Sequence, residues 1–173
     1  ASGFYPWQTT INMKISLTGI GLHKGDNIDI TLMPTKANSG IRFIRTDLDC
    51  DIIERTVIPN YKNVSDTNMC TTIKNDYDVK ISTIEHLMAA LSGTGLDNVD
   101  IEINGSEVPI MDGSSDQFVN LIENTGLIKL PEKRRFLKIT KPVEIKDGDK
   151  KCSLSPCDKM KFFASIDFSD KVI

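Results

Sequence analysis

Residues 82–103 read STIEHLMAALSGTGLDNVDIEI and contain both periodicities that decide the fold. In the first part, apolar residues recur at helical spacing, at Ile84, Leu87, Met88 and Leu91. This pattern predicts one amphipathic helix over Ser82–Leu91. In the second part, Val99–Ile103 alternates apolar and polar residues, as a half-buried strand requires. A helix followed closely by a strand therefore forms the centre of the predicted fold.

The ends of this helix carry recognisable signals. Ser82 is a suitable cap, and Glu85 stands three residues later, as in a capping box. Gly93 or Gly95 would end the helix, because glycine readily adopts the left-handed conformation found there.

A second helix is predicted over Asp116–Asn124, where Phe118, Leu121 and Ile122 share one face. Ser114 or Ser115 would cap it and Gly126 would end it. These are the two helical segments that the sequence predicts.

Strands are predicted on both sides of the helices. Alternation marks Ile28–Leu32 and Leu137–Ile139 as strands. Two tight-turn dipeptides predict antiparallel hairpins. Asn104-Gly105 would join Val99–Ile103 to Val108–Ile110, and Asp147-Gly148 would join Val143–Ile145 to Cys152–Leu154.

These elements predict an α+β fold, a two-layer sandwich of a mostly antiparallel sheet with two helices on one face. Pro131 followed by a run of charges is the expected domain boundary. We expect residues 1–9 to be a leader that is foreign to the natural chain or disordered. We expect residues 10–131 to form domain I, which carries Glu85 and His86, and residues 132–173 to form the truncated opening of a second, similar domain.

Composition excludes several classes of protein. Hydrophobic residues make up 39% of the 173-residue chain and charged residues 26%, which is typical of a folded domain. The net charge of -3 gives no basic field for nucleic acid, and no stretch is apolar and long enough to span a membrane. The four cysteines include no Cys-x-x-Cys pair, so we expect reduced thiols and a cytoplasmic protein.

Few residues stand out as candidates for chemistry. The chain has two histidines, His23 and His86, and Glu85 precedes the second. A carboxylate beside a metal-bound water could act as a general base. On spacing alone, however, Glu85 is a capping residue and His86 an ordinary helix residue. His23 lies in a glycine-rich turn, and Met69-Cys70 has the pattern of a buried pair.

Several stretches together carry a more specific signal. They are Thr18-Gly-Ile-Gly-Leu-His-Lys-Gly25, Arg45-Thr-Asp47, Ile81-Ser-Thr-Ile-Glu-His-Leu87, Gly95-Leu-Asp-Asn98 and Pro109-Ile-Met-Asp-Gly-Ser114. In order and spacing, the chain from about Thr10 onward closely resembles the N-terminal half of bacterial UDP-3-O-acyl-N-acetylglucosamine deacetylases.

The resemblance implies a zinc-dependent enzyme of lipid A synthesis in Gram-negative bacteria, with two similar domains enclosing its site. It implies that His86 is one of three zinc ligands and that Glu85 is the general base. Met69 and Cys70 match a loop at the edge of the family's site, so they and His23 are candidates for contact with the acylated UDP-sugar. The other two ligands, a His and an Asp, match nothing in this chain, so we expect it to be inactive alone.

Two alternatives remain open at this stage. One is a non-catalytic module that binds a nucleotide sugar. The other is a structural half-domain that is stable only when the missing C-terminal half, or a second copy, covers its unfinished sheet.

Overall fold

The computed structural model describes residues 5–167, which contain two α-helices and twelve β-strands. The helices are α1 (Glu85–Thr94) and α2 (Asp116–Thr125). The strands are β1 (Trp7–Ile11), β2 (Ile15–Ile20), β3 (Asn27–Pro34), β4 (Ile41–Arg45), β5 (Thr56–Val57), β6 (Val64–Asp66), β7 (Thr72–Lys74), β8 (Lys80–Ile81), β9 (Val99–Ile103), β10 (Leu127–Lys133), β11 (Val143–Asp147) and β12 (Lys150–Leu154). Within residues 5–167, no helix is long and apolar enough to cross a membrane.

The main sheet has five strands in the order β2-β3-β9-β4-β5. Its pairs are antiparallel except for β4 with β9, which run parallel. Strands β6, β7 and β8 form a second antiparallel sheet, and β1 pairs with β10. The mostly antiparallel α+β architecture is confirmed.

One apolar core joins the main sheet to both helices. The inward residues of the central strands are fully buried, at Ile30, Leu32, Phe43, Ile101 and Ile103. They pack in the same core as the buried helix residues Leu87, Leu91, Phe118 and Ile122. The two predicted helices therefore pack against the main sheet, which contains β9. Neither layer can bury its apolar face alone.

Helix α1 begins three residues later than Ser82, and its predicted capping box is wrong. The Ser82 hydroxyl bonds the Thr72 hydroxyl, while the Glu85 carboxylate accepts from the Thr71 N–H. Thr83 has a φ of +57°, which cannot continue a right-handed helix. Partners from a distant segment thus replace the local cap. At the other end, Gly95 closes the helix in the left-handed conformation (φ 78°).

Helix α2 is confirmed to within one residue at its C-terminus. Ser114 caps its start, since its hydroxyl accepts from the Asp116 N–H at 3.1 Å. Ser115 occupies the N-cap position but donates its hydroxyl elsewhere, to the His86 carbonyl. Gly126 ends the helix, as predicted.

Of the two predicted hairpins, one forms. Asp147-Gly148 joins β11 to β12 in an antiparallel pair. The hairpin at Asn104-Gly105 is wrong, because the side chain and backbone of Asn104 bond instead to Asp29 of β3. The chain then forms an isolated parallel bridge between Glu107 and Ser82. Tertiary pairing overrides the local turn signal here.

The chain divides into two compact units between Arg134 and Arg135. This position lies three residues beyond the predicted boundary, which falls inside β10. Pro131 is tolerated in that strand because the β1–β10 register shifts between Trp7 and Thr9, and proline has no N–H for a regular ladder.

Residues 7–9 of the expected leader form part of strand β1. Residues 1–4 lie outside the described part of the chain.

In the second unit, the predicted strand at Leu137–Ile139 is wrong, as those residues form no regular structure. All four cysteines carry free thiols.

Candidate functional site

Glu85 is the first residue of α1, and its carboxylate is held by a neighbouring segment. Oε2 accepts a 3.0 Å hydrogen bond from the Thr71 N–H. Within residues 5–167 this is its only hydrogen bond, and the side chain is half-buried. A carboxylate fixed through one oxygen retains Oε1 to accept a proton from a bound water, as a general base must.

His86 follows in the first turn of α1. Its carbonyl accepts a 2.9 Å hydrogen bond from the Ser115 hydroxyl, which ties this turn to the start of α2. Its half-buried imidazole makes no hydrogen bond or ion pair with any residue of the described chain. The ring nitrogens are thus available to a ligand from outside these residues.

The Met69-Cys70 segment is followed by Thr71, whose N–H bonds the Glu85 carboxylate. Met69 is 85% exposed and has a φ of 63°, so the expected buried pair is wrong for it. Cys70 is half-buried, and its Sγ lies 3.6 Å from the Thr72 Oγ1. Since Thr71 bonds Glu85, the segment that carries Cys70 is directly attached to the start of α1.

His23 lies in the turn between β2 and β3, with a partly exposed imidazole. Its backbone N–H donates to both oxygens of the Glu107 carboxylate, at 3.1 and 3.2 Å. The imidazole Nε2 is 3.9 Å from Glu107 Oε1, too far for a hydrogen bond. The backbone contact, rather than the ring, fixes this turn.

One pocket of about 740 Å³ brings together the three predicted substrate-binding residues, His23, Met69 and Cys70. Ser82 and Glu107 also line it, whereas Glu85 and His86 do not. A volume of this order is enough for a small-molecule ligand. The predicted binding residues therefore share one pocket with Ser82, which precedes α1. The predicted catalytic pair, Glu85 and His86, begins that helix.

Charges of both signs surround this pocket. Arg45 binds Asp47 through two hydrogen bonds of 2.7 and 2.6 Å, and this guanidinium holds the pKa of Asp47 below its ordinary value. Arg45 also donates to the Lys80 carbonyl. Lys24 bonds the Ser106 hydroxyl at 2.8 Å. Arg45 is thus already paired with Asp47, two residues further along the chain.

A metal site would need several ligands close together. Among residues 5–167, no three His, Cys, Asp or Glu side chains cluster in a way that could hold a metal ion. The described residues therefore do not form a zinc site by themselves.

Several functional contacts were not found from the sequence. Thr71, Thr83 and Ser115 act through hydrogen bonds to residues distant in the chain. The buried Glu107 lies between the two strands of the predicted Asn104-Gly105 hairpin, where local pattern gives it no role. A usable signal was its charge in an otherwise uncharged stretch, Asn104 to Met111, because a buried carboxylate requires specific donors.

Residues 8–173 match a family model described as UDP-3-O-acyl N-acetylglycosamine deacetylase. Relatives named UDP-3-O-acyl-N-acetylglucosamine deacetylase include one from Neisseria meningitidis serogroup C, 45% identical over 95% of this chain and 53% of its own. One from Idiomarina loihiensis is 42% identical over 96% of this chain and 53% of its own.

A third relative of the same name, from Shewanella halifaxensis, is 41% identical over 94% of this chain and 52% of its own. The chain belongs to the UDP-3-O-acyl-N-acetylglucosamine deacetylase family. It spans about half the length of the curated relatives that it matches.

Proposed function

We propose that this chain forms the first part of a zinc-dependent enzyme that removes the N-acetyl group of UDP-3-O-acyl-N-acetylglucosamine in lipid A synthesis. The relatives' names support the reaction. The structural observation that supports this proposal is the position of Glu85 and His86 at the start of α1. One residue offers a carboxylate oriented through Thr71, and the other offers an imidazole unoccupied by any described partner.

His86 contributes one zinc ligand, and the remainder of the protein supplies the others. This assignment is consistent with the lack of a three-ligand cluster in residues 5–167. When bound, zinc would polarise the amide carbonyl and acidify the attacking water. Glu85 acts as the general base: Oε1 accepts the proton of that water while Oε2 remains on the Thr71 N–H, so the carboxylate does not turn away.

The substrate contacts His23, Met69 and Cys70. Their common pocket supports this assignment, and so does the exposure of Met69, which leaves an apolar side chain facing solvent. Thr71 lies between the pocket and the catalytic carboxylate, so the same short segment orients both.

Residues 135–173 open a second domain that the rest of the protein completes. Within the described part of this unit, large hydrophobic side chains are exposed to an extent unusual for a finished domain, at Leu137, Ile145, Met160, Phe162, Phe163 and Ile166. We infer that the rest of the protein covers this surface, and that an added C-terminal half or a second copy can cover it when residues 1–173 are produced separately.

Zinc content and deacetylase activity of residues 1–173 test the proposal, measured alone and after mixing with the C-terminal half of the protein. We expect activity and bound zinc only in the mixture, and loss of activity when the chain carries Glu85→Ala. Tight zinc binding and turnover by the chain alone would contradict the shared site.

A non-catalytic module that binds a nucleotide sugar is the second candidate. It is favoured by a pocket whose lining excludes the Glu85-His86 pair. Titration of the mixture with UDP-N-acetylglucosamine decides between the two candidates. Binding by a folded mixture that is inactive and metal-free would favour the module.

A further inference from the structure

Glu107 is a buried carboxylate whose hydrogen bonds, among residues 5–167, come from a backbone N–H and a hydroxyl. Its side chain is 4% exposed, and its nearest basic atom, His23 Nε2, lies beyond hydrogen-bond distance. The carboxylate instead accepts from the Thr83 hydroxyl at 3.0 Å and from the His23 N–H. A buried carboxyl group needs specific hydrogen-bond donors, and Thr83 and His23 supply them at this position.

The contacts of Glu107 join two segments that flank the pocket. Its backbone forms a parallel bridge with Ser82, and the Val108 N–H donates to the Ser82 carbonyl at 3.0 Å. Its side chain approaches the glycine-rich turn so closely that a Cβ at Gly21 would lie 2.7 Å from Oε2. One residue thus fixes both the turn that carries His23 and the segment that leads into α1.

The hydrogen bond between Thr83 and Glu107 matters because Thr83 has a positive φ of 57°. A positive φ is unfavourable for a β-branched residue and persists only when the surroundings enforce it. The buried hydrogen bond to Glu107 supplies that constraint, two residues before Glu85. After Thr83, the Ile84 N–H bonds the Thr71 carbonyl, and Thr71 in turn bonds the Glu85 carboxylate.

We propose that Glu107 is a positioning residue that acts through the Thr83 hydroxyl to set the direction in which α1 presents Glu85 and His86. The inference rests on the proposed function for its kinetic consequence. Displacement of a general base by about 1 Å can cost on the order of a hundredfold in rate. The loss should therefore appear in kcat rather than in KM.

Two matched substitutions at Thr83 test it in the full-length protein. Thr83→Val keeps the β-branched shape and removes the hydroxyl, whereas Thr83→Ser keeps the hydroxyl. We expect Thr83→Val and Glu107→Gln each to lower kcat about ten- to a hundredfold, and KM of Thr83→Val to stay within about threefold of the parent value. Thr83→Ser should retain most of the parent kcat. The Thr83→Val/Glu107→Gln double variant should be no slower than the slower single variant.

A control separates this role from general stability. Asp100→Asn breaks the ion pair with Arg42 between β9 and β4, so it should lower the melting temperature without changing kcat. Unchanged kcat in Thr83→Val, equal losses for Thr83→Ser and Thr83→Val, or multiplying losses in the double variant would each overturn the inference. If Glu107→Gln does not fold, the Thr83 pair decides alone.

A measurement without turnover keeps the two proposals apart. Amide hydrogen exchange in the peptide Ile84–Met88 should be faster in Thr83→Val than in Thr83→Ser, because both the Ile84 and Met88 N–H groups are bonded at the start of α1. Equal exchange would refute the positioning role. Deacetylase activity that survives Glu85→Gln would refute the general-base role of Glu85, and a full-length parent protein without deacetylase activity would refute the proposed function. Either result leaves the exchange result standing.

Discussion

The backbone N–H of Thr71 donates a 3.0 Å hydrogen bond to the carboxylate of Glu85. These residues lie 14 positions apart, and the bond joins the segment that carries Cys70 to the first turn of α1. The segment that lines the pocket and the proposed catalytic base are therefore held by one contact. This contact also explains why Glu85 does not cap its own helix.

Replacement of Glu85 by glutamine should abolish most of the activity of the full-length protein. The glutamine carbonyl can still accept from the Thr71 N–H, but the amide cannot take a proton from water. Because general-base catalysis contributes about a hundred- to ten-thousandfold, we expect kcat to fall within that range. Release of the free amine measures it. Glu123→Gln, at an exposed position of α2, is the control and should retain full activity.

The Ser115 hydroxyl should stabilise the contact between the helices. Ser115→Ala removes its 2.9 Å bond to the His86 carbonyl, so we expect the free energy of unfolding to fall by about 1 kcal/mol. Urea unfolding measures this change. Ser92→Ala, at an exposed position of α1, should change stability by less than about 0.5 kcal/mol. Equal effects of the two substitutions would show that the bond to His86 contributes nothing.

Two glycines should respond to alanine in opposite directions. A Cβ at Gly21 would lie 2.7 Å from the Glu107 carboxylate, so Gly21→Ala should destabilise the protein by about 1–3 kcal/mol. A Cβ at Gly93, within α1, meets nothing within 4 Å, so Gly93→Ala should stabilise it by about 0.5–1 kcal/mol. Thermal unfolding of both variants measures the difference. A Gly21→Ala variant as stable as the parent would show that Glu107 is not tightly held.

The Arg45–Asp47 pair should make a small, pH-dependent contribution to stability. The hydrogen bond from Arg45 lowers the pKa of Asp47 in the folded protein, whereas its unfolded pKa is about 3.9. The contribution is therefore complete above the unfolded pKa and is lost as pH falls through the lower folded pKa. Because the pair is partly exposed, we expect less than about 1 kcal/mol.

Urea unfolding of the parent and Asp47→Asn between pH 6 and about pH 2 tests that contribution. The parent should be the more stable at pH 6, and the difference should vanish at the acid end. Asp76→Asn changes an exposed carboxylate without an ion pair among the described residues, so it should show no such convergence. A difference that grows as pH falls would contradict the assigned sign.

Periodicity and local signals predicted the elements whose formation depends on their own residues. The alternation of Val99–Ile103 and the helical face of Phe118 and Ile122 led to the observed core, because burial of one apolar face determines each element. Gly95 and Gly126 end their helices as predicted. The resemblance to the deacetylase family, rather than spacing, made Glu85 and His86 candidates for a chemical role.

Only the tertiary structure decided where polar groups find their partners. Ser82 and Glu85 have capping-box spacing, yet both bond the segment at Thr71 and Thr72, and Asn104 bonds β3 instead of turning back. Glu107 stands in an uncharged stretch and becomes the link between His23 and Thr83. Apolar burial follows a short-range period that a sequence displays. A hydrogen bond depends on the position of two atoms brought together by the whole fold, so its partner is decided only when the chain has folded.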